Sequence, residues 1–495
     1  MGIVIRQGIK TTVLQYLGLG IGLLAYTFLY IRYREVYGLV QVLIDAASLI
    51  TSFAMLGSNA LAVRFYPRVG KGGPAENEGF LTFLLALATV GVALYLLGRP
   101  LFDRLLVERL FTNVAAAYKP LLYTVPVLVV LLVYLRVLYQ YATNFRLLTV
   151  PMFFEQFLFK LALPLLIFGF ALGYLDARLV VFGVLGNYAL AVLGLVGYLL
   201  YMGRFKLRRI GRAVRDQARE MATFGSYGII GMLGSTLAFR IDTLMVGGLV
   251  SLEAAGIYAT IRFMTEVVAK PYLSLKQVVA PQVADAWAKD HPESIAPVYK
   301  ASSLNLLLVS IWMLGGIVLC FPAFTRVAAD GDSLWIAFPA LLLLGASRII
   351  DAGTSLNEHI ILYSPKFRFN FFALLLMAAL NVGLNAWLIP RYGISGAALS
   401  TLTSIGVFNL SKVVFAGVQF GLWPLDWRQL AVPGLMVLAG VGAFFIPSTG
   451  FWLTDFAVKG GVYTAACATL LLWLKPSEEA DGIIRAAAAK VGLSL

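Results

Sequence analysis

Charged residues are scarce in this chain of 495 residues. Asp, Glu, Lys and Arg together make up 13% of it, whereas aliphatic, aromatic and sulphur-containing residues with Ala make up 60%. Soluble domains carry about 25% charged residues, and a soluble protein as apolar as this one has too few polar groups to cover its surface. The composition therefore excludes a soluble globular protein and predicts an integral membrane protein.

Motifs of catalysis and of metal or nucleotide binding are missing as well. The two cysteines, Cys320 and Cys467, lie in or at the edge of apolar runs and form no CxxC pattern, so we predict neither a metal site nor a disulfide framework. The glycine-rich loop at 70–74 lacks the GxxxxGKS/T spacing of a P-loop, and neither HExxH nor GxSxG occurs. We expect no cofactor, no bound metal, no ATP hydrolysis and no catalytic residue in this chain.

Apolar stretches of about 20 residues recur along the chain, separated by short charged loops. About 20 apolar residues in a helix cross the ~30 Å hydrocarbon core of a bilayer, and lipid requires every backbone group to be bonded within the chain. The first stretch is too long for a signal peptide and lacks a following cleavage site, so we expect it to be retained. We predict an all-α polytopic membrane protein with about 14 transmembrane helices, at about 9–31, 36–60, 79–99, 120–142, 153–175, 178–201, 221–249, 254–280, 301–321, 335–361, 367–389, 393–417, 430–447 and 451–474.

The net charge of +14 lies mostly in the loops. Basic loops mark the cytoplasmic side of membrane proteins, and the sequence has no basic patch interleaved with aromatic residues of the kind that binds nucleic acid. With the N-terminus inside, the cytoplasmic side receives about twice as many basic residues as the outside, although the outer segment 99–119 is also fairly basic. The densest cluster comprises Arg204, Lys206, Arg208, Arg209, Arg212, Arg215 and Arg219. We predict that both termini and this cluster lie in the cytoplasm.

Two short motifs follow corresponding predicted spans in the two halves of the chain. They are Tyr-x-x-x-Phe-Arg at 141–146 and 363–368, and Glu-x-x-Gly at 35–38 and 253–256. The two copies of each motif are separated by nearly the same number of residues, which suggests parallel repeats related by an axis along the membrane normal. Transporters often place their substrate site between such halves. We therefore predict an N-terminal six-helix lobe at 1–202, a basic cytoplasmic linker at 203–220, a C-terminal six-helix lobe at 221–420, and two extra transmembrane helices with a cytoplasmic tail at 421–495.

Four stretches are similar to those of a known group of membrane proteins. They are Arg32-Tyr-Arg-Glu-Val-Tyr-Gly38 after the first helix, Arg240-Ile-Asp-Thr-Leu-Met-Val late in the seventh, Ala255-Gly-Ile-Tyr258 at the start of the eighth, and Asn381-Val-Gly-Leu-Asn-Ala-Trp-Leu-Ile-Pro-Arg-Tyr-Gly-Ile-Ser-Gly396-Ala-Ala. Over nearly its whole length the chain resembles the polysaccharide-export branch, the O-antigen-type flippases, of the multidrug/oligosaccharidyl-lipid/polysaccharide exporter superfamily. The resemblance implies two six-helix lobes that form a V around a central cavity, with alternating access.

The resemblance also implies a function. The expected activity is that of a flippase, which moves an oligosaccharide linked to undecaprenyl phosphate or pyrophosphate across the cytoplasmic membrane of a bacterium or archaeon for polysaccharide biosynthesis. Membrane lipids and a glycan polymerase or glycosyltransferase are the expected partners. A multidrug or metabolite antiporter of the same superfamily and a lipid II flippase are alternatives, although the intramembrane charges lean basic and so favour an anionic substrate. A glycan polymerase or ligase would need a larger outer loop than this sequence has.

Charged residues inside the predicted spans are the candidate site residues. Each costs about 2.5–3.5 kcal/mol at a helix centre on insertion scales, so we expect it to face protein or water. Arginine keeps its charge and grips two phosphate oxygens at once, which suits a phosphate-linked substrate. We predict that the substrate is bound by Arg240, Arg262, Arg348, Lys270 and Arg136, and that coupling or gating involves Asp45, Asp242, Glu266 and Asp351. Structural ion pairs between helices are the alternative.

The spacing of the charges on the eighth span adds detail. Arg262, Glu266 and Lys270 recur every four residues and so form one row on a helix face. Pro271 follows this row and is expected to kink or loosen the helix. Asp45, shifted by the repeat offset, falls beside Arg262, which suggests a gate ion pair between these two residues.

Other charges call for separate interpretations. Arg240 and Asp242 are two positions apart and do not share a helix face, so we expect each to pair elsewhere. Lys412 and Lys459 are expected to extend their ammonium groups toward the lipid headgroups.

Overall fold

A computed structural model gives the structure of residues 2–70, 78–111, 114–145, 149–289, 291–328, 330–354, 356–424 and 431–474. Within these ranges every regular element is helical, which confirms the all-α prediction. The chain divides into two compact units, Met1–Ala259 and Thr260–Leu495. The six-helix lobes at 1–202 and 221–420 stay a prediction. Arg146 of the repeated motif, residues 71–74 of the glycine-rich loop and the predicted tail from 475 lie outside the described residues.

The helices of the first unit are, in chain order, α1 Gly2–Ala25, α2 Arg34–Ala54, α3 Ser58–Arg64, α4 Tyr66–Val69, α5 Phe80–Asp103, α6 Lys119–Leu122, α7 Val125–Ala142, α8 Thr149–Met152, α9 Leu158–Ala171, α10 Ala177–Tyr201, α11 Arg212–Asp216 and α12 Ala218–Leu249. π-Helical turns continue α1 at Tyr26–Tyr30 and α5 at Arg104–Leu110, and another precedes α9 at Phe153–Phe157. The division between the units falls within α13, Leu252–Val268.

The helices of the second unit are α14 Lys270–Ala288, α15 Ile295–Val327, α16 Phe338–Gly353, α17 Asn357–Tyr363, α18 Arg368–Phe420, α19 Ala431–Phe444 and α20 Trp452–Leu474. In the described part of the chain, ten helical segments are long and apolar enough to cross a membrane, and α19 is a shorter apolar helix. Two further predicted spans coincide with α12 and with the α13–α14 pair. α18 is one of the ten segments and contains two predicted spans. Every one of the predicted spans therefore has a helical counterpart.

Helix α18 is a hairpin of two antiparallel helices. Gly393 interrupts it with φ 54° and ψ −131°, a conformation that side-chain-bearing residues rarely adopt. The Ser400 hydroxyl donates to the carbonyl oxygen of Asn381 over 3.0 Å, which a straight helix would place about 28 Å apart. A Cβ atom at Gly396 would overlap with the carbonyl oxygen of Leu388, so the two arms meet closely there. The hairpin accounts for the two predicted spans at 367–389 and 393–417.

The predicted eighth span is broken at the expected place. α13 ends at Val268 and α14 begins at Lys270, with Pro271 in its first turn. Proline lacks a backbone N–H and disfavours a helical conformation in the residue before it, so the helix is interrupted at this point. The predicted interruption next to Pro271 is confirmed as a break between Val268 and Lys270, so the last charge of the row, Lys270, lies just after it.

Helix α2 lies at the centre of the first unit, where it packs against α5, α7 and α12. Most of its residues are buried, including the polar residues Asp45, Ser48, Thr51 and Ser52. A helix enclosed by protein can carry polar side chains through a membrane, because neighbouring helices supply the hydrogen-bond partners that lipid does not. The enclosure of α2 therefore places a polar stripe inside the unit.

The first turns of α2 and α13 cross at two glycines. A Cβ atom at Gly38 would overlap with the carbonyl oxygen of Leu252, and one at Gly256 would overlap with the carbonyl oxygen of Arg34. The contact is reciprocal, and Gly38 and Gly256 are the glycines of the repeated Glu-x-x-Gly motif. Beside the crossing, Arg34 Nε donates to Glu253 Oε1 over 2.7 Å. The absence of side chains at the two glycines lets the backbones touch.

Candidate functional site

The first unit contains an ion pair between two of the predicted site residues. Asp45 of α2 is fully buried, and its Oδ1 accepts a hydrogen bond from Arg240 Nη1 of α12 over 2.6 Å. The side chain of Arg240 is nevertheless 39% exposed. This pair fulfils the expectation that Arg240 pairs outside its own helix, and it is the interhelical ion pair that the structural alternative describes. The predicted gate pair of Asp45 with Arg262 stays a prediction.

Arg136 of α7 approaches the same part of α2. Its Nη2 donates to Ser48 Oγ over 3.1 Å, and Ser48 lies one turn from Asp45. Arg136 and Arg240 lie within electrostatic range of each other and of Asp45. Two of the predicted substrate-binding arginines therefore lie in one cluster, which we call the α2 cluster: Asp45, Ser48, Arg136, Glu155, Lys160 and Arg240.

Three members of the α2 cluster, Ser48, Glu155 and Lys160, were not among the predicted site residues. Glu155 lies on the π-helical turn before α9, within electrostatic range of Arg136, Arg240 and Lys160. Among the residues that the structure describes, its buried Oε2 atom has no hydrogen-bond partner. π-Helical turns are frequent at functional sites because they redirect side chains. The sequence shows Glu155 only as a charge near a span end, and nothing in it indicates this turn.

Asp242 lies apart from Arg240 although it is only two residues away. Its Oδ2 accepts a hydrogen bond from the hydroxyl of Tyr258 on α13 over 2.9 Å, and both residues are buried. A buried carboxylate that accepts this bond stabilises the packing of α12 against α13. The predicted gating role of Asp242 stays a prediction.

In the second unit, Arg262 and Glu266 lie close together on α13. Arg262 Nε and Glu266 Oε1 are 4.0 Å apart, with side-chain exposures of 13% and 49%. Lys270 begins α14 directly after the break. The predicted row of charges thus runs along the end of α13 to the start of α14.

Arg348 and Asp351 lie on α16 and are set among polar side chains. Arg348 is half-buried. Asp351 Oδ1 accepts from Asn409 Nδ2 of α18 over 2.7 Å, and Asn409 Oδ1 accepts from Asn357 Nδ2 over 3.2 Å. The asparagines within these apolar spans are the feature of the sequence that indicates such buried polar contacts.

An ion pair that the sequence did not predict lies near Asp351. Lys276 Nζ of α14 donates to Glu358 Oε2 of α17 over 2.8 Å. Lys412 of α18 is only 2% exposed, and its Nζ lies 3.6 Å from the centre of the Phe408 ring. The expectation that Lys412 extends to the headgroups is therefore wrong, because packing inside the unit encloses its ammonium. Lys459 is also buried and donates to the carbonyl oxygen of Phe444 over 3.3 Å.

Long apolar helices joined by buried polar contacts define this protein as a polytopic membrane protein with a transporter fold. The structure titled lipid II flippase MurJ, inward closed conformation, matches with a TM-score of 0.70 and 14% identity over 95% of this chain and 99% of that chain. An outward-facing multidrug resistance MATE family transporter of the MOP superfamily matches with a TM-score of 0.52 and 15% identity over 85% and 95%. At these identities the matches establish the fold alone.

The chain belongs to the polysaccharide biosynthesis protein family, whose sequence model matches residues 4–287. It is 24% identical over 233 residues to the probable low-salt glycan biosynthesis flippase Agl15 of Haloferax volcanii, which covers 45% of this chain and 48% of the relative. It is 22% identical over 203 residues to the uncharacterized membrane protein MJ1068 of Methanocaldococcus jannaschii, covering 41% and 40%. The chain thus matches less than half the length of each of these relatives. The predicted family resemblance is confirmed.

Proposed function

We propose that this protein is a flippase that moves an oligosaccharide linked to undecaprenyl phosphate or pyrophosphate across the cytoplasmic membrane. The observation that carries the proposal is the Asp45–Arg240 pair, since it leaves the side chain of Arg240 39% exposed inside a membrane protein. A guanidinium has five N–H donors, and phosphate oxygens accept two of them at once. Arg136 adds a second positive charge beside it.

The other predicted residues have roles in the same proposal. Arg262, Arg348 and Lys270 bind the substrate from the second unit. Asp242, Glu266 and Asp351 contribute to coupling or gating, as does Asp45. Polysaccharide biosynthesis supplies the lipid-linked glycan, and a glycan polymerase or glycosyltransferase acts on the same molecule. The membrane is the cytoplasmic membrane of a bacterium or archaeon, with both chain termini in the cytoplasm.

A basic cluster argues against the rival function of a cation antiporter. Arg136, Lys160 and Arg240 outnumber the carboxylates Asp45 and Glu155 in the α2 cluster. A cationic drug would be repelled by this excess of positive charge, whereas a phosphate would be attracted. The relative described as a glycan biosynthesis flippase supports the same choice.

Reconstituted transport tests the proposal. We expect the purified chain in liposomes to expose a labelled undecaprenyl-diphosphate oligosaccharide to an external glycosidase, and Arg240→Ala to slow this about 10–100-fold, as expected for loss of a charged hydrogen bond. Arg99→Ala is the matched control, because Arg99 is 41% exposed and also pairs with an aspartate. Equal rates for wild type and Arg240→Ala would contradict the proposed site. Transport of lipid II alone would favour the lipid II flippase.

A further inference from the structure

Three polar residues of α2 that contact other helices lie on one side of it. Asp45, Ser48 and Ser52 are three and four positions apart, which is the spacing that aligns side chains on a helix face. All three are buried. Asp45 binds Arg240, Ser48 binds Arg136, and Ser52 binds Thr236. One stripe of α2 therefore holds two arginines that come from two different helices.

The stripe also fixes the register of α12. The Ser52 hydroxyl donates to the carbonyl oxygen of Ser48 over 2.9 Å, so its 2.8 Å contact with Thr236 uses the Thr236 hydroxyl as the donor. Thr236 lies one turn before Arg240 on α12, on the same helix face. The two contacts lie about two turns apart on α2 and one turn apart on α12, and together they fix the register of the two helices. The guanidinium of Arg240 is therefore placed by its own bond and by the register of its helix.

The carboxylate of Asp45 is fixed while the guanidinium of Arg240 is partly accessible. Asp45 is fully buried in the most enclosed helix of the first unit. Its described bond to Arg240 engages Nη1, one of the two terminal nitrogens. A guanidinium held at one terminal nitrogen keeps its other N–H groups in a fixed fork that fits phosphate. Holding an arginine in the productive orientation before the ligand arrives lowers the entropy cost of binding.

We propose that Asp45 and Ser48 are positioning residues that orient Arg240 and Arg136 toward the diphosphate of the substrate without touching it. The inference rests on the proposed function, because it assigns the two arginines to phosphate. It predicts that each α2 residue acts only through its own arginine. A residue that merely stabilised the unit would act whether or not that arginine were present.

Double-mutant cycles of ligand binding test this inference. The probe is undecaprenyl diphosphate, titrated against the full chain in nanodiscs of neutral phosphatidylcholine, with thermal stability measured on the same samples. We expect Asp45→Asn to weaken binding about tenfold in the wild-type background and to have no further effect beside Arg240→Ala. Ser48→Ala should weaken binding about threefold and have no further effect beside Arg136→Ala. Asp103→Asn, which frees Arg99 from its aspartate, should change nothing.

The outcomes separate the inference from the proposed function. Weak binding by Arg240→Ala together with wild-type binding by Asp45→Asn would overturn the positioning role and leave the phosphate site standing. Losses that add up in the double variant would identify Asp45 as merely structural and would also overturn the inference. Wild-type binding by both Arg240→Ala and Arg136→Ala would remove the phosphate site as well. If Asp45→Asn does not fold, the double-mutant cycle of Ser48 and Arg136 tests the positioning role in its place.

Discussion

Arg240 and Lys412 are both basic residues inside predicted spans, yet their surroundings differ. Arg240 pairs with Asp45 and stays 39% exposed, whereas Lys412 is 2% exposed with its ammonium against the Phe408 ring. An accessible guanidinium has donors left for an anion, and an enclosed ammonium over an aromatic ring has a cation–π partner instead. We therefore assign phosphate contact to Arg240 and a packing role to Lys412.

Arg262 allows a prediction that separates binding from stability. Its partner Glu266 is 49% exposed and 4.0 Å away, so the pair contributes less than about 1 kcal/mol to stability. If Arg262 grips phosphate, Arg262→Ala should lower flipping about tenfold while the amount of inserted protein stays the same. Arg262→Lys should recover only part of the activity, because lysine lacks the two-pronged geometry.

The matched variants for this prediction are Glu266→Ala and the double change with Arg262→Ala. We expect the single change at Glu266 to leave the protein level unaltered and the double variant to flip as slowly as Arg262→Ala. Flipping rates in liposomes and protein levels in membranes are the two measurements. A double variant that flips at the wild-type rate would show that Arg262 only neutralises Glu266.

Among the helical elements, the crossing of α2 and α13 gives the sharpest expectation for stability. Ala at Gly38 or Gly256 would place a methyl group on a backbone carbonyl oxygen, so the helices must separate. We expect each change to lower the free energy of unfolding by about 1–3 kcal/mol, the usual cost of overpacking. Thermal unfolding of the purified variants measures the loss.

Gly197 provides the control for the crossing. It lies within α10, and a Cβ atom there would meet nothing within 4 Å. Gly197→Ala should raise stability by about 0.5–1 kcal/mol, because alanine is the better helix former. Unchanged stability of both Gly38→Ala and Gly256→Ala would mean that the two helices are not in backbone contact.

Helix positions could be predicted from the sequence, whereas most side-chain pairings could not. Apolar length predicted the spans, and Pro271 predicted the break in the eighth span, since proline acts on the local backbone. The pairing of Asp45 with Arg240 joins residues 195 positions apart. Which helix faces which depends on packing across the whole unit, and no local pattern carries that information. Glu155 was overlooked for the same reason.

For the molecule as a whole, topology is the property that the charge distribution predicts. Arg209 lies in the basic segment 203–220 and is exposed. In a variant whose two native cysteines are replaced, we expect Arg209→Cys to resist a membrane-impermeant maleimide added to intact cells, because the positive-inside rule places this segment in the cytoplasm. Labelling is read by a mass shift on a gel.

Tyr174 provides the control for topology. It is 80% exposed and follows α9, at the end of the predicted fifth span that is expected to lie outside. Tyr174→Cys should be labelled in intact cells, and both positions should react after the cells are permeabilised. Labelling of Arg209→Cys from outside would invert the whole arrangement, including the side from which the substrate enters.

The α18 hairpin has a consequence for the insertion of the chain into the membrane. Its arms already satisfy a polar group between themselves, since the Ser400 hydroxyl donates to the carbonyl oxygen of Asn381. An unsatisfied polar group in hydrocarbon costs several kcal/mol, so two arms leaving the ribosome one at a time would each carry that cost. Leaving the translocon together, they enter lipid with this bond formed. We therefore expect the two arms joined at Gly393 to enter the membrane as a single unit during biogenesis.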